Sequence, residues 1–354
     1  MLSRVAESLY WMSRYLERAE HTARVVDLNL NLMLDQAPDP GDQRWLRLLK
    51  GLMVTLPTET RHDAYNVAQA LTFDSSNKVS IVAYMTAARE NARQVREQIS
   101  SEMWEELNQL FLQIKRAGID NTWQAQPHHF FRGVKDGAHL FQGITDSTLS
   151  HSEGWHFIQL GRFIERAGAT AALLDAYVSE FSQSAETAAS GQNGQGEQVD
   201  PLAYAGGSDS AVIPGDAGES PNATKGDYLE MVGLLKSCTA FEAYCKVYTA
   251  DLSPERIAEF LLLNSEFPRS VRFAAEMIQS ALNAIAETSS TRKTGRANRL
   301  AGRLRASLSF SQIDEIMGNG LHVYLADVQR QCAQIHNAIY QQYVAYPIES
   351  ALAS

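Results

Sequence analysis

Along the first thirty-three positions apolar residues recur in steps of four and three: Val5, Leu9, Met12, Leu16, Ala19, Ala23, Val26, Leu30 and Met33. That stripe defines one face of a helix of about eight turns and keeps it aligned with a partner helix. A chain that opens this way must bury a long seam, so it folds by packing helix on helix. Asp35 to Gly41, with Pro38 and Pro40, ends the pattern. Periodicity predicts further helices over 43–56, 61–72, 78–117, 135–145 and 148–181. After a gap it predicts helices over 226–249, 254–263, 268–289, 296–307 and 311–345. No stretch alternates apolar and polar residues as a strand does. The expected class is all-α, a multi-helix bundle.

Part of the sequence occurs twice. Arg14-Tyr15-Leu16-Glu17-Arg18-Ala19 resembles Arg162-Phe163-Ile164-Glu165-Arg166-Ala167, and the match continues through Thr22 with Thr170, Ala23 with Ala171 and Asp27 with Asp175. A weaker match aligns Asp74-Ser75 and Ser80-Ile81 with Asn264-Ser265 and Ser270-Val271. These matches predict two related helical halves, 1–146 and 147–354, that share a core. The second half is interrupted by 182–224, with seven glycines, three prolines, six acidic residues and no Lys or Arg. Such a stretch has too little apolar surface to offset its ordering entropy, so a disordered acidic insert is expected there.

Composition narrows the functional classes. Three cysteines and a formal charge of −10 argue against a disulfide scaffold and against general nucleic-acid binding. No apolar run approaches a membrane span and no signal sequence opens the chain, so a cytoplasmic location is expected. The nine histidines form no metal-ligand spacing, and no phosphate loop, nucleophile elbow or dinucleotide fingerprint is present. Neither a metal nor a cofactor is therefore expected.

Charged groups recur where chemistry could sit. Arg14, Glu17, Arg18 and His21 share one helix face, and Arg162, Glu165 and Arg166 repeat the set. A guanidinium held by a carboxylate suits bidentate capture of a carboxylate or phosphate. The same residues could equally be a solvated face, or an internal staple that fixes the two halves and binds nothing. Arg89 and Arg93 share a face of the predicted 78–117 helix, and Arg269 falls in a first helical turn, where free N–H groups favour anions.

These residues carry a family resemblance. The Glu-Arg pairs at 17–18 and 165–166, with Ala88 to Arg93, Trp104 to Asn108, Pro268-Arg269-Ser270 and Gly302-Arg303-Leu304, resemble the bacterial alpha-E family over nearly the whole chain. Phe267 stands where asparagine is more usual. The resemblance implies an all-helical protein encoded beside, or fused to, a circularly permuted ATP-grasp protein, often with a transglutaminase-like peptidase nearby. The expected function is an accessory or substrate-binding module of an ATP-grasp amide or peptide ligase. Arg14, Arg18, Arg162 and Arg166 would grip an anionic amino acid or peptide, Glu17 and Glu165 would orient them, and Arg89, Arg93 and Arg269 would be secondary ligands. Two alternatives stand beside it: an aminoacyl or peptidyl transferase with a Glu general base, and a purely structural scaffold.

Overall fold

A computed structural model describes residues 1–35, 43–118, 122, 127–191, 225–249, 251–288 and 295–344. Among them are fourteen α-helices and no strand, as the periodicity predicts. The first half runs α1 (Ser3–Asp35), α2 (Gln43–Gly51), α3 (Ala64–Thr72), α4 (Ile81–Gln94), α5 (Ser101–Arg116) and α6 (Pro127–Thr148). Then follow α7 (Glu153–Gly191), α8 (Lys225–Ser237), α9 (Phe241–Tyr248), α10 (Pro254–Leu263) and α11 (Val271–Thr288). The chain ends with α12 (Arg296–Phe310), α13 (Ile313–Asn319) and α14 (Leu321–Ile339), closed by a π turn at Tyr340–Val344.

Three expected helices are each broken in two, and each break has a local cause. The stretch 78–117 divides between α4 and α5, where the Ser100 hydroxyl accepts the Met103 N–H and caps a new helix. The stretch 226–249 divides at Thr239, whose φ of 53° is left-handed. The stretch 311–345 divides at Gly320, whose φ of 95° only glycine adopts without strain. At the other extreme, α6 starts eight residues before the expected 135, because Pro127 suits a first turn and Phe130 and Phe131 are buried. Helix α7 runs to Gly191, past the expected end at 181, through the helix formers Gln183, Ala185, Glu186, Ala188 and Ala189. The rest of the expected insert, 192–224, lies outside the described residues.

Helices α1 and α7 form the centre. Helices α4 and α6 pack on α1, while α11 and α14 pack on α7. Each central helix also takes a short helix from beyond its own neighbours: α2 lies on α7, and α8 lies on α1. The stripe Leu9, Met12, Leu16, Ala19 and the stripe Leu160, Ile164, Ala167, Ala171 belong to one continuous buried cluster. The two backbones come close at Gly161, where an added Cβ would sit 2.3 Å from the Tyr10 carbonyl oxygen. Among the described residues no helix is long and apolar enough to cross a membrane.

The close approach at Gly161 predicts an asymmetric response to alanine. Gly161→Ala forces the central helices apart and should cost roughly 1–3 kcal/mol in denaturant unfolding, as overpacking does. Gly168→Ala, two turns on with nothing within 4 Å, should be neutral or stabilising by up to about 1 kcal/mol. Equal effects at both positions would contradict the described packing.

Candidate functional site

The outer face of α1, opposite its apolar seam, carries Arg14, Glu17, Arg18, His21 and Arg24 at intervals of three and four, so the helix aligns them in one row. On a soluble two-helix surface this row would be exposed. Here α7, α11 and α6 cover it, and Arg14, Glu17, Glu20, His21 and Arg24 are all buried.

Burial obliges these charges to pair, and they pair crosswise. Arg166 donates to both oxygens of Glu17 through Nε at 2.7 Å and Nη2 at 3.0 Å. Arg18 donates to both oxygens of Glu165 through Nε at 2.9 Å and Nη2 at 2.8 Å. Each Glu-Arg dipeptide thus gives its carboxylate to the other's guanidinium. Gln142 of α6 adds a hydrogen bond to Glu17 at 3.1 Å. Arg14 also pairs with Glu165, donates to His336 Nδ1 at 2.8 Å and lies 4.5 Å from the Trp11 ring centroid.

The network extends one turn along α1. Glu20 accepts two bonds from Arg24, at 2.9 and 3.3 Å. Arg269, placed just before α11, bridges the two systems, 3.5 Å from Glu17 and 3.1 Å from Glu20. Thr170 holds the Arg269 backbone by donating to its carbonyl at 3.0 Å. His139 of α6 stands 3.6 Å from Glu20.

Beside this network is a cavity of about 180 Å³. Its deep wall is made by Glu17, His21, Arg24, Arg166, Thr170 and Arg269. Its outer wall is made by Leu52, Met53 and Val54 after α2, with Val79 and Tyr84 of the α4 region. Arg18 and Glu165 also line it.

The electrostatics are one-sided. Burial alone would raise the Glu17 carboxyl, but Arg166 and then Arg269 overcome it and hold the group at about 2. Arg24 and Arg269 hold Glu20 well below its ordinary range against the same burial, and Arg14 and Arg18 lower Glu165. All three are ionised. They face five guanidinium groups in the same connected set: Arg14, Arg18, Arg24, Arg166 and Arg269. Two positive charges therefore exceed the carboxylates that hold them.

His21 sharpens the picture. Burial, and then the charge of Arg24, lower it to about 3, so the ring is neutral. Its Nδ1 lies 3.0 Å from Arg24 Nη2, and an arginine can only donate, so Nδ1 is the acceptor. The proton is then on Nε2, which is buried and has no hydrogen-bond partner. His21 is also one of the residues that line the cavity. Cys238 also lines the cavity, but burial pushes its thiol up to about 11, which leaves it unreactive.

The other sequence-predicted residues distribute unevenly. Arg18, Arg166 and Arg269 line the cavity with Glu17 and Glu165. Arg14 faces Trp11 and His336 instead. Arg162, one turn before Arg166, does not line the cavity; it stands 3.9 Å from Asp146 with its Nε unpartnered. Burial and the neighbouring Arg166 lower Arg162 to about 10. Arg89 bonds Asn108 at 2.7 Å and lies over the Phe111 ring, and Arg93 is exposed beside Glu90, so neither reaches the cavity. Glu20 and Arg24 were missed by sequence reasoning. Their signal was present, since Arg24 continues the Arg14–Arg18–His21 face and Glu20 precedes it by four residues.

The family model for Alpha-E, described as a predicted alpha-helical domain with a conserved ER motif, matches residues 1–344. An uncharacterized protein of Mycobacterium bovis is 23% identical over 92% of this chain and 34% of its own length. Two uncharacterized proteins of Mycobacterium tuberculosis match the same shares at 23% and 22% identity. The chain thus spans about a third of the length of these curated relatives. No solved structure matches it.

The buried charges predict a pH dependence of stability. Buried His21 and half-buried His336, lowered to about 3 and about 4 from an ordinary 6.5, take up protons more readily when unfolded. So does Glu17, lowered to about 2 from 4.5. The unfolded state binds more protons, so stability rises with pH. The urea midpoint should fall as pH drops through 6.5 and more steeply below 4.5, and Glu17→Gln should remove part of the second fall. A midpoint constant from pH 7 to pH 3 would contradict these assignments.

Proposed function

The chain belongs to the Alpha-E family, and on that premise we propose that it is a binding module that holds an anionic substrate group for a partner ligase of the ATP-grasp type. The observation that carries the reading is the cationic surplus of the cavity lining: four guanidinium groups, Arg18, Arg24, Arg166 and Arg269, against two carboxylates, Glu17 and Glu165. Buried charge without a counter-charge is costly, and an anion in the cavity relieves that cost. The donors face inward from α1, α7 and the start of α11, so they are preorganised rather than recruited.

The Glu-Arg forks act indirectly in this reading. Glu17 and Glu165 occupy the bidentate edges of Arg166 and Arg18, fixing the guanidinium planes. Arg166 Nη1 is further held by the Pro268 carbonyl at 3.3 Å, and the N–H groups that these contacts leave over, with those of Arg24 and Arg269, address the ligand. Acidic amino acids, peptide termini and acyl phosphates present suitable oxygens, and the last is the intermediate of ATP-grasp ligation. A carboxylate held at about 2 is a weak base near neutral pH, which weighs against Glu17 as a proton acceptor in a transferase. The greater length of the curated relatives supports a unit that works beside other domains. The apposed pairs α1–α4 and α7–α11 support the reading that the halves 1–146 and 147–354 descend from one unit. A transglutaminase-like peptidase is a further expected partner.

One rival has its own observation. The crossed forks are the geometry of a structural staple, and a staple needs no ligand.

Two measurements separate these readings. Inorganic phosphate should raise the thermal midpoint of the chain, by an amount equivalent to ~2.7 kcal/mol at about a hundredfold excess over Kd. Arg24→Met should abolish that rise; a staple shows no phosphate-dependent rise in either protein. An ATP-grasp protein encoded beside this chain should co-purify with it, and its ligase activity should change on mixing. No complex together with no change in activity contradicts the ligase partnership.

A further inference from the structure

We propose that the ligand of this cavity is an amphipathic organic anion bound head-first, its carboxylate or phosphate against the deep arginine wall and a short apolar group against the outer wall. The inference rests on the anion-binding reading above and adds the other half of the molecule.

The two walls differ in both burial and chemistry. In the deep wall, His21, Arg24, Arg166 and Arg269 are between 4 and 9% exposed. In the outer wall Met53 is 61% exposed, and Leu52, Val54 and Val79 are half-buried. The cavity thus opens beside Met53, and three of its four arginines, Arg24, Arg166 and Arg269, lie in the buried part, while Arg18 is a third exposed. The entrance is shaped by an unusual backbone: Met53 adopts a left-handed φ of 54° directly after α2. That turn is held by the Val54 N–H donating to the Leu49 carbonyl at 2.9 Å and the Met53 N–H to the Lys50 carbonyl at 3.0 Å. Gly51 fits there because α7 passes close by, with Leu173 Cδ1 only 2.8 Å from where a Cβ would stand. Three consecutive apolar side chains are therefore presented at the entrance on a braced turn. Tyr84 is buried on the same side, with the Arg18 guanidinium 5.8 Å from its ring centroid.

A bare inorganic ion would satisfy the deep wall and leave the outer one against water. A ligand with a carbon skeleton satisfies both, since apolar surface gains by leaving water. The volume fits: about 180 Å³ is the share of roughly six waters, enough for an acidic head and a few carbons. The deep wall also fits the head, because the lining's surplus of two guanidinium groups over carboxylates matches an anion of one or two charges. The order of the walls sets the direction of entry, so any longer part of the ligand leaves past Met53 and Val79.

The test is calorimetric titration of the full chain with four anions. Acetate and inorganic phosphate are heads alone; 3-phenylpropanoate and phenyl phosphate carry the same heads with an apolar group. Each buried methylene is worth about fourfold in affinity, so at least one apolar anion should bind ten times or more tighter than its bare head. In the double variant Val54→Ser, Val79→Ser, checked for folding by its unfolding transition, that ratio should fall at least threefold. Bare heads that bind as tightly as their apolar counterparts overturn this inference and leave the anion reading standing. A tenfold preference that survives the double variant also overturns it, because the apolar group would then lie elsewhere. Failure of all four anions to bind overturns the anion reading and this inference with it.

Discussion

Two long helices exchange their Glu-Arg pairs, and the rest of the molecule is arranged around that exchange. Either helix alone would carry a row of charges that no packed interior accepts. Together, Glu17 with Arg166 and Glu165 with Arg18 turn two rows into a matched set with bidentate geometry on both sides. The contact at Gly161, where the α7 backbone touches the Tyr10 carbonyl, brings the rows within reach. Helices α4, α6, α11 and α14 then cover the pair and exclude water from most of it. Buried ion pairs add little net stability against a well-packed apolar alternative, but they penalise any misregistered arrangement heavily. The crossed pairs therefore account better for the register of α1 against α7 than for the total stability.

Matching is not complete, and the mismatch has a location. Arg24 and Arg269 compete for Glu20, and Arg269 also reaches Glu17, so positive charge accumulates at one side of the pairs. That side is where the cavity lies and where the His21 N–H has no partner. The same residues that lock the helices thus set the sign of the field in the cavity. Staple and binding site need not be rivals at the level of structure, since the bidentate edges serve one and the remaining donors are directed toward the other.

Much of this was legible in the sequence. The four-three stripe of α1 and the absence of strand alternation led to the all-helical class, because helix periodicity is a local property. The recurrence of Arg14-Tyr15-Leu16-Glu17-Arg18 at 162–166 pointed to the right pair of helices and to most of the charged network. What the sequence did not show was which way each arginine turns. Arg14 and Arg162 occupy corresponding places in the motif, yet one pairs with Glu165 and the other faces Asp146. That choice depends on α6 and α14, distant in sequence. Arg89 and Arg93 were misplaced for a related reason. The predicted 78–117 helix hid the Ser100 cap, and the hairpin it creates brings Arg89 to Asn108 rather than to the centre. The apolar entrance was invisible because Leu52 to Val54 read as the tail of a helix, whereas Met53 adopts a left-handed turn.

The crossing of the two pairs is open to direct measurement by a double-mutant cycle on Glu165 and Arg18, with unfolding free energies for Glu165→Gln, Arg18→Met and the double variant. A genuine bidentate contact, two-thirds shielded on the arginine side, predicts that the double variant is more stable than the sum of the single losses by roughly 1–3 kcal/mol. The same cycle on Arg18 with Glu17, its neighbour in sequence but not its partner, should show coupling well below that. Additive losses for Arg18 with Glu165, within about 0.5 kcal/mol, would contradict the exchange on which the whole arrangement depends.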